Sequence, residues 1–79
     1  LKIPKYIKNK INRMLELKEL THKLSKEIDN WLEDNGVDTQ SEKYIDGLGV
    51  RLLYAELVNA DEFENELQKF LNGEEIGYG

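Results

Sequence analysis

Residues 4–36 read PKYIKNKINRMLELKELTHKLSKEIDNWLEDNG, and the reading of this stretch decides the fold. Between Pro4 and Asn35 there is no Gly and no further Pro, Pro4 stands where a first helical turn tolerates it, and Asn35-Gly36 supplies a left-handed C-cap. The pattern predicts one long N-terminal helix. Its apolar residues fall at Ile7, Ile11, Met14 and Leu15, then at Leu17, Leu20, Leu24, Ile28, Trp31 and Leu32, three and four apart as a helix requires. The stripe drifts around the axis, the first group centring about a quarter turn or more from Leu20, Leu24 and Trp31. One partner surface does not easily cover both.

Length adds a constraint. A helix of about 32 residues spans roughly 48 Å, whereas a compact chain of 79 residues has a radius of gyration of about 12 Å and a diameter of about 30 Å. Such a helix outruns its own globule, so it projects, breaks near residues 21–25, or packs against another molecule. The drifting stripe favours the last of these.

Downstream, Thr39 and Glu42 form a T-x-x-E capping box that starts a second helix, which Gly47 and Gly49 then interrupt. From there Val50, Leu53, Tyr54, Leu57 and Val58 match the helical template i, i+3, i+4, i+7, i+8. Strand alternation fits worse, because Leu53, Ala55 and Leu57 make the opposite face apolar too; a buried strand over residues 47–58 is the alternative. Leu48, Leu52 and Ala55 draw a second apolar line on the far side, as expected of a buried helix. Asn59-x-x-Glu62 offers another cap, and Phe63, Leu67, Phe70 and Leu71 make a short amphipathic helix that stops at Asn72-Gly73. Glycine-rich residues 73–79 read as a flexible tail. With no repeat and no linker, residues 1–79 are expected to form a single all-α domain: one long N-terminal helix packed by a buried middle helix and a short C-terminal amphipathic helix.

Charge is divided along the chain. Residues 1–26 carry eight Lys/Arg against two acids (+6) and residues 27–79 carry three against fourteen (−11), which sum to the net −5. A bipolar chain suggests electrostatic pairing, with itself or with a charged partner, because opposite potentials speed and orient encounter. The absence of cysteine excludes a disulfide framework and a thiolate zinc site, and points to a reducing, cytoplasmic setting. Pro4, Lys5, Lys8 and Lys10 interrupt any apolar run at the start, so neither a signal-peptide core nor a membrane span is expected there or later. Leu1 in place of Met implies a start that was trimmed or lies upstream. A chain this short builds a modest core, and oligomerisation would help it.

Few residue patterns invite chemistry. Asp34 to Glu42 resembles a calcium loop in its first residues, but position three is Gly36, six is Thr39 and twelve is Ile45, so the bidentate ligand is missing. A helix C-cap followed by an N-cap is the better reading. His22 is the single histidine, and neither Ser25 nor Ser41 sits in a turn that would present it as a nucleophile beside His22. The paired carboxylates Glu62 and Glu66 lie in a surface row with no apolar pocket to raise one pKa. No enzyme, metal or cofactor is expected.

Charge and aromatic residues give the remaining candidates. Lys5, Lys8, Lys10 and Arg13 with Tyr6 form a basic end that could touch phosphate. Lys5 and Lys8 share one side of the helix and Lys10 and Arg13 another, so a solvated surface is preferred and direct nucleic-acid binding is not expected. The acids Asp61, Glu62, Glu64, Glu66, Glu74 and Glu75 crowd a short segment that serves solubility or mimics phosphate charge in a basic groove. Trp31, Tyr44, Tyr54 and Tyr78 are available as anchors, with Trp31 read as core before hot spot.

Ile3-Pro4-Lys5-Tyr6-Ile7, the long charged helix and Ile28-Asp-Asn-Trp-Leu-Glu-Asp-Asn-Gly-Val37 together resemble a group of short proteins from phages and integrative elements of low-GC Gram-positive bacteria. The resemblance covers residues 3–38 and carries no catalytic residue. It implies a mobile-element setting, where small acidic proteins often inhibit host defence, anti-CRISPR proteins among them.

Three functional expectations follow. The first is a non-enzymatic phage or mobile-element protein whose acids Asp61, Glu62, Glu66, Glu74 and Glu75 engage, and inhibit, a host nucleic-acid-processing effector such as a CRISPR-type nuclease. The second is a self-associating helical module, a homo-oligomer built on Leu20, Leu24, Trp31, Leu48, Leu52 and Ala55. The third, ranked last, is a nucleic-acid-binding accessory protein that uses Lys5, Lys8, Lys10 and Arg13.

Overall fold

In the computed structural model, which describes residues 1–74 with Lys18 described by its backbone alone, the long helix is two helices. α1 (Lys5–Glu16) ends where Leu17 leaves helical space at φ −124°, ψ 71°. A single 3-10 turn, Lys18–Leu20, carries the chain round into α2 (Thr21–Asp34). Of the three options the helix breaks, just before residues 21–25, instead of packing against another molecule as the drifting stripe favoured, and the partner for the stripe is the chain itself. The Thr21 hydroxyl donates to the Met14 carbonyl at 2.9 Å, capturing one of the acceptors that α1 leaves unpaired at its end. Lys10 Nζ meets Glu27 Oε2 at 2.8 Å. The pairs 14–21 and 10–27 have nearly constant residue sums, as two helices folded back on each other require.

Burial explains why no local breaker is needed. An unbroken helix would leave Ile7, Ile11 and Met14 turned away from Leu24, Ile28 and Leu32; folded back, all six are buried. Their burial is worth roughly 10 kcal/mol as an upper estimate. The backbone hydrogen bonds lost at the corner cost about 1 kcal/mol each. The fold measures 29 × 27 × 20 Å with a radius of gyration of 11.3 Å, close to the dimensions expected of a compact chain of this length.

α2 ends as its sequence predicts. Gly36 has φ +83°, the Gly36 N–H donates to the Glu33 carbonyl and the Val37 N–H to the Leu32 carbonyl, which is the Schellman arrangement. The next helix starts later than the T-x-x-E pattern suggests. Ser41, not Thr39, caps it by accepting the Tyr44 N–H, while the buried Thr39 hydroxyl donates to Glu33 Oε1 at 2.7 Å.

Residues 42–53 run as one helical segment: α3 (Glu42–Tyr44), a π-helical stretch (Ile45–Gly49) and α4 (Val50–Leu53). Gly47 and Gly49 widen the helix rather than interrupt it. A Cβ on Gly49 would stand 3.0 Å from the Tyr44 carbonyl oxygen and 3.1 Å from its ring, so the wide turn needs glycine there. The segment stops at Tyr54, before Val58, and a 3-10 turn, Ala55–Leu57, leads to α5 (Ala60–Leu71).

α5 is the expected short amphipathic helix. The Asn59 side chain accepts the Glu62 N–H at 2.7 Å, and Gly73 at φ +79° closes a second Schellman cap through the Glu74 N–H and the Lys69 carbonyl. Gly73 and Glu74 thus belong to the cap, while residues 75–79, the rest of the expected tail, lie outside the described residues. α1 contacts both α2 and α5, with Lys8 Nζ 3.0 Å from Glu64 Oε1, and Leu48, Leu52, Ala55, Phe63 and Leu67 complete the core. Among the described residues every regular element is helical, and no helix is long and apolar enough to cross a membrane.

Candidate functional site

Helical period offered two apolar lines on the middle segment, and the fold buries only one. Leu48, Leu52 and Ala55 enter the core. Most of the line that matched the helical template best is at the surface: Val50 is 42%, Leu53 56%, Tyr54 51% and Leu57 75% exposed, with Ile45 48% exposed before them, while Val58 at its end packs against the core. A helix apolar on both sides can be sealed on both only by a larger molecule than this one. The expectation of a wholly buried middle helix is corrected accordingly.

Beside this row lies a cleft of about 240 Å³ between α2 and the middle segment, lined by Ser25, Asp29, Tyr44, Ile45, Gly49, Val50, Leu52 and Leu53. The π-helical stretch forms one wall, and such wide turns recur at functional sites. Polar groups are few. The Tyr44 hydroxyl donates to Asp29 Oδ1, and the Ser25 hydroxyl donates to the His22 carbonyl at 2.9 Å. Burial, followed by that hydrogen bond and the charges of Asp29 and Glu33, pushes the Tyr44 hydroxyl far above the ordinary phenol range. It is a protonated donor at any physiological pH. The Tyr44 ring meets Phe70 edge-on at 5.7 Å, so the same residue ties the cleft to α5.

Charge around the cleft is negative. Asp29 lines it, Glu33 acts on Tyr44, and Asp46 and Glu56 are exposed next to Ile45 and Leu57. The nearby cations are largely engaged elsewhere: Lys43 Nζ lies 5.8 Å from the Phe70 ring centroid, and Arg51 is buried with its Nη1 3.1 Å from Glu62 Oε1. Lys26, exposed next to Ser25, is the exception.

The residues singled out from sequence are distributed differently. Of the acids, Asp61, Glu62 and Glu74 are exposed, but Glu62 pairs with Arg51, and Asp61 and Glu62 in the first turn of α5 are separated from Glu74 by the length of that helix. Glu66 is buried at 8% exposure with its Oε2 lacking a hydrogen-bond partner, so it is no contact charge, and Glu75 lies outside the described residues. Of the self-association set, Leu24, Trp31, Leu48, Leu52 and Ala55 are in the monomer's own core, and only Leu20 is exposed. The helical hairpin consumed the stripe that appeared to lack a partner. Among the bases, Lys8 and Lys10 reach Glu64 and Glu27 on opposite flanks of α1, and Lys5 and Arg13 are exposed, so the four do not act as one patch.

His22 is exposed, and Ser25 addresses its backbone rather than its imidazole. Residues 34–42 are a helix cap, an Asx turn in which Asp38 Oδ1 accepts the Gln40 N–H, and a second cap, not a cation loop. Among the described residues no three His, Cys, Asp or Glu side chains are grouped to hold a metal ion. Sequence reasoning missed the Asp29–Tyr44 pair, which joins residues fifteen apart. Sequence reasoning also put the contact surface on the wrong side of the middle helix, on Leu48, Leu52 and Ala55, whereas the face left exposed carries Val50, Leu53, Tyr54 and Leu57. No family model, curated protein or solved structure matches this chain.

Proposed function

We propose that this protein is a non-enzymatic binding protein that docks onto a positively charged surface of another protein and blocks it. The observation that carries the reading is the row Ile45, Val50, Leu53, Tyr54 and Leu57, left at the surface of a 79-residue chain with little apolar area to spare. Single exposed apolar residues need no explanation, but a row beside a cleft with a polar rim is the signature of a protein-contact surface. Net charge −5 and the exposed Asp46, Glu56, Asp61 and Glu74 favour a basic counterpart. The nucleic-acid channel of a host processing enzyme, a CRISPR-type nuclease among them, has that character, and the resemblance of residues 3–38 to mobile-element proteins supports such a target.

The test is capture from nuclease-treated host extract by the immobilised protein and by its Leu53→Glu/Leu57→Glu variant. The wild type is expected to retain a nucleic-acid-processing protein, to release it as salt rises, and to inhibit it when both are purified; the variant is expected to do neither. Equal capture by the variant, or a retained protein that stays fully active, would refute the proposal. Self-association through the same row is the second reading. A two-fold dimer would set Asp46 and Glu56 of one copy near those of the other, which disfavours it. Concentration-dependent sedimentation would reverse that order.

A further inference from the structure

We infer that the cleft and row together receive a cationic amphipathic helix of the partner, one apolar side chain entering between α2 and the π-helical stretch while its Lys or Arg residues meet the acidic rim. The inference rests on the protein-binding reading above and names the occupant.

Size comes first. About 240 Å³ is below the roughly 300–1,000 Å³ of cofactor and small-molecule pockets, and it suits one large apolar side chain or two small ones. The lining is apolar on the middle-segment side, from Ile45, Val50, Leu52 and Leu53, with Asp29 and Ser25 on the other. An entering anchor is therefore apolar at its body and lies beside the Asp29 carboxylate.

The occupant's backbone follows from this protein's own. Among the described residues no strand offers an edge, so a peptide cannot be held by strand addition. Recognition is through side chains, and a groove rimmed by helices takes a helix with anchors at i, i+3, i+4 and i+7. Residues 45–57 would face roughly three turns of such a helix. Charge decides its polarity: Asp29, Glu33, Asp46 and Glu56 outnumber the two exposed cations next to the cleft lining, Lys26 and Lys43, and Lys43 lies over the Phe70 ring. A second copy of this chain is a poorer occupant, because its own basic helix α1 has Ile7, Ile11 and Met14 already in the core.

The probe is a fluorescein-labelled Leu/Lys amphipathic peptide of about four helical turns, titrated with the full chain and followed by anisotropy. Two control peptides accompany it: the same composition scrambled to destroy the apolar face, and a Leu/Glu version. Binding of the Leu/Lys helix is expected to exceed that of both controls, to weaken between about 50 and about 300 mM salt, and to fall about tenfold or more in Leu53→Ser and Val50→Ser. Asp29→Asn is expected to weaken it and to flatten the salt dependence. Circular dichroism of each variant establishes that it is folded. Equal binding of the scrambled peptide, or unchanged affinity in both serine variants, would overturn the inference, as would sedimentation showing the row covered by a second copy. If capture of the host protein depends on Leu53 and Leu57 while the Leu/Lys helix fails to bind, the binding reading stands and this inference alone falls.

Discussion

Replacing Tyr44 with Phe removes one hydroxyl and leaves the ring against Phe70. At neutral pH the loss is that of a hydrogen bond to the half-buried Asp29 carboxylate. Hydrogen bonds to charged groups are worth about 1.5–3 kcal/mol, and Asp29 can regain water, so the lower end, about 1.5 kcal/mol, applies. For a chain of this size that corresponds to a fall in Tm of roughly 6–12 °C. Above about pH 10 the gap should close. The Tyr44 hydroxyl is raised in the folded state by burial and by Asp29, so its contribution is complete below the unfolded value of about 10 and is lost as pH climbs above it. There the unfolded chain has released the proton and the folded chain has not. Unfolding therefore becomes easier by about 1.4 kcal/mol per pH unit from this group alone. The Phe variant has no such term, and lysine deprotonation affects both proteins alike. The two stability curves should cross near pH 11, about 1.5 kcal/mol divided by that slope. Urea unfolding followed by circular dichroism between pH 7 and the crossing measures this directly. A gap that is absent at pH 7, or that stays constant through pH 11, would refute the Tyr44–Asp29 reasoning.

Three further substitutions probe the fold. Thr21→Val keeps the shape of the hairpin corner but strands the Met14 carbonyl, and a loss of about 1–2 kcal/mol with unchanged denaturant slope is expected in urea titration. Gly49→Ala pushes a methyl group against the Tyr44 carbonyl, which is backbone and cannot rotate away; about 1–3 kcal/mol of destabilisation should appear, with altered near-ultraviolet dichroism from Tyr44. Gly36→Ala meets nothing in space yet must adopt φ +83°, and thermal melting should report a cost of about 1–2 kcal/mol.

The amino-acid sequence by itself determined the helical class, the Asn59 cap, both Gly-terminated helix ends and the amphipathic α5. Each depends on residues within a few positions of one another, which is the range over which capping and left-handed glycine act. Residues 50–53 were legible as helix rather than strand, while Leu48, Leu52 and Ala55 read both as a buried line and as a surface for a second copy, and the fold buries them. The tertiary structure decided the rest. Nothing in Leu17–Leu20 is a breaker; α1 parts from α2 because burying Ile7, Ile11 and Met14 against Leu24, Ile28 and Leu32 outweighs a few backbone hydrogen bonds. That same choice moved Leu24 and Trp31 from a presumed contact surface into the core, and left Val50, Leu53, Tyr54 and Leu57 outside it. Local spacing shows that a helix has two apolar faces, but which one is covered depends on how many other helices reach it, and in a chain of 79 residues there are enough for one.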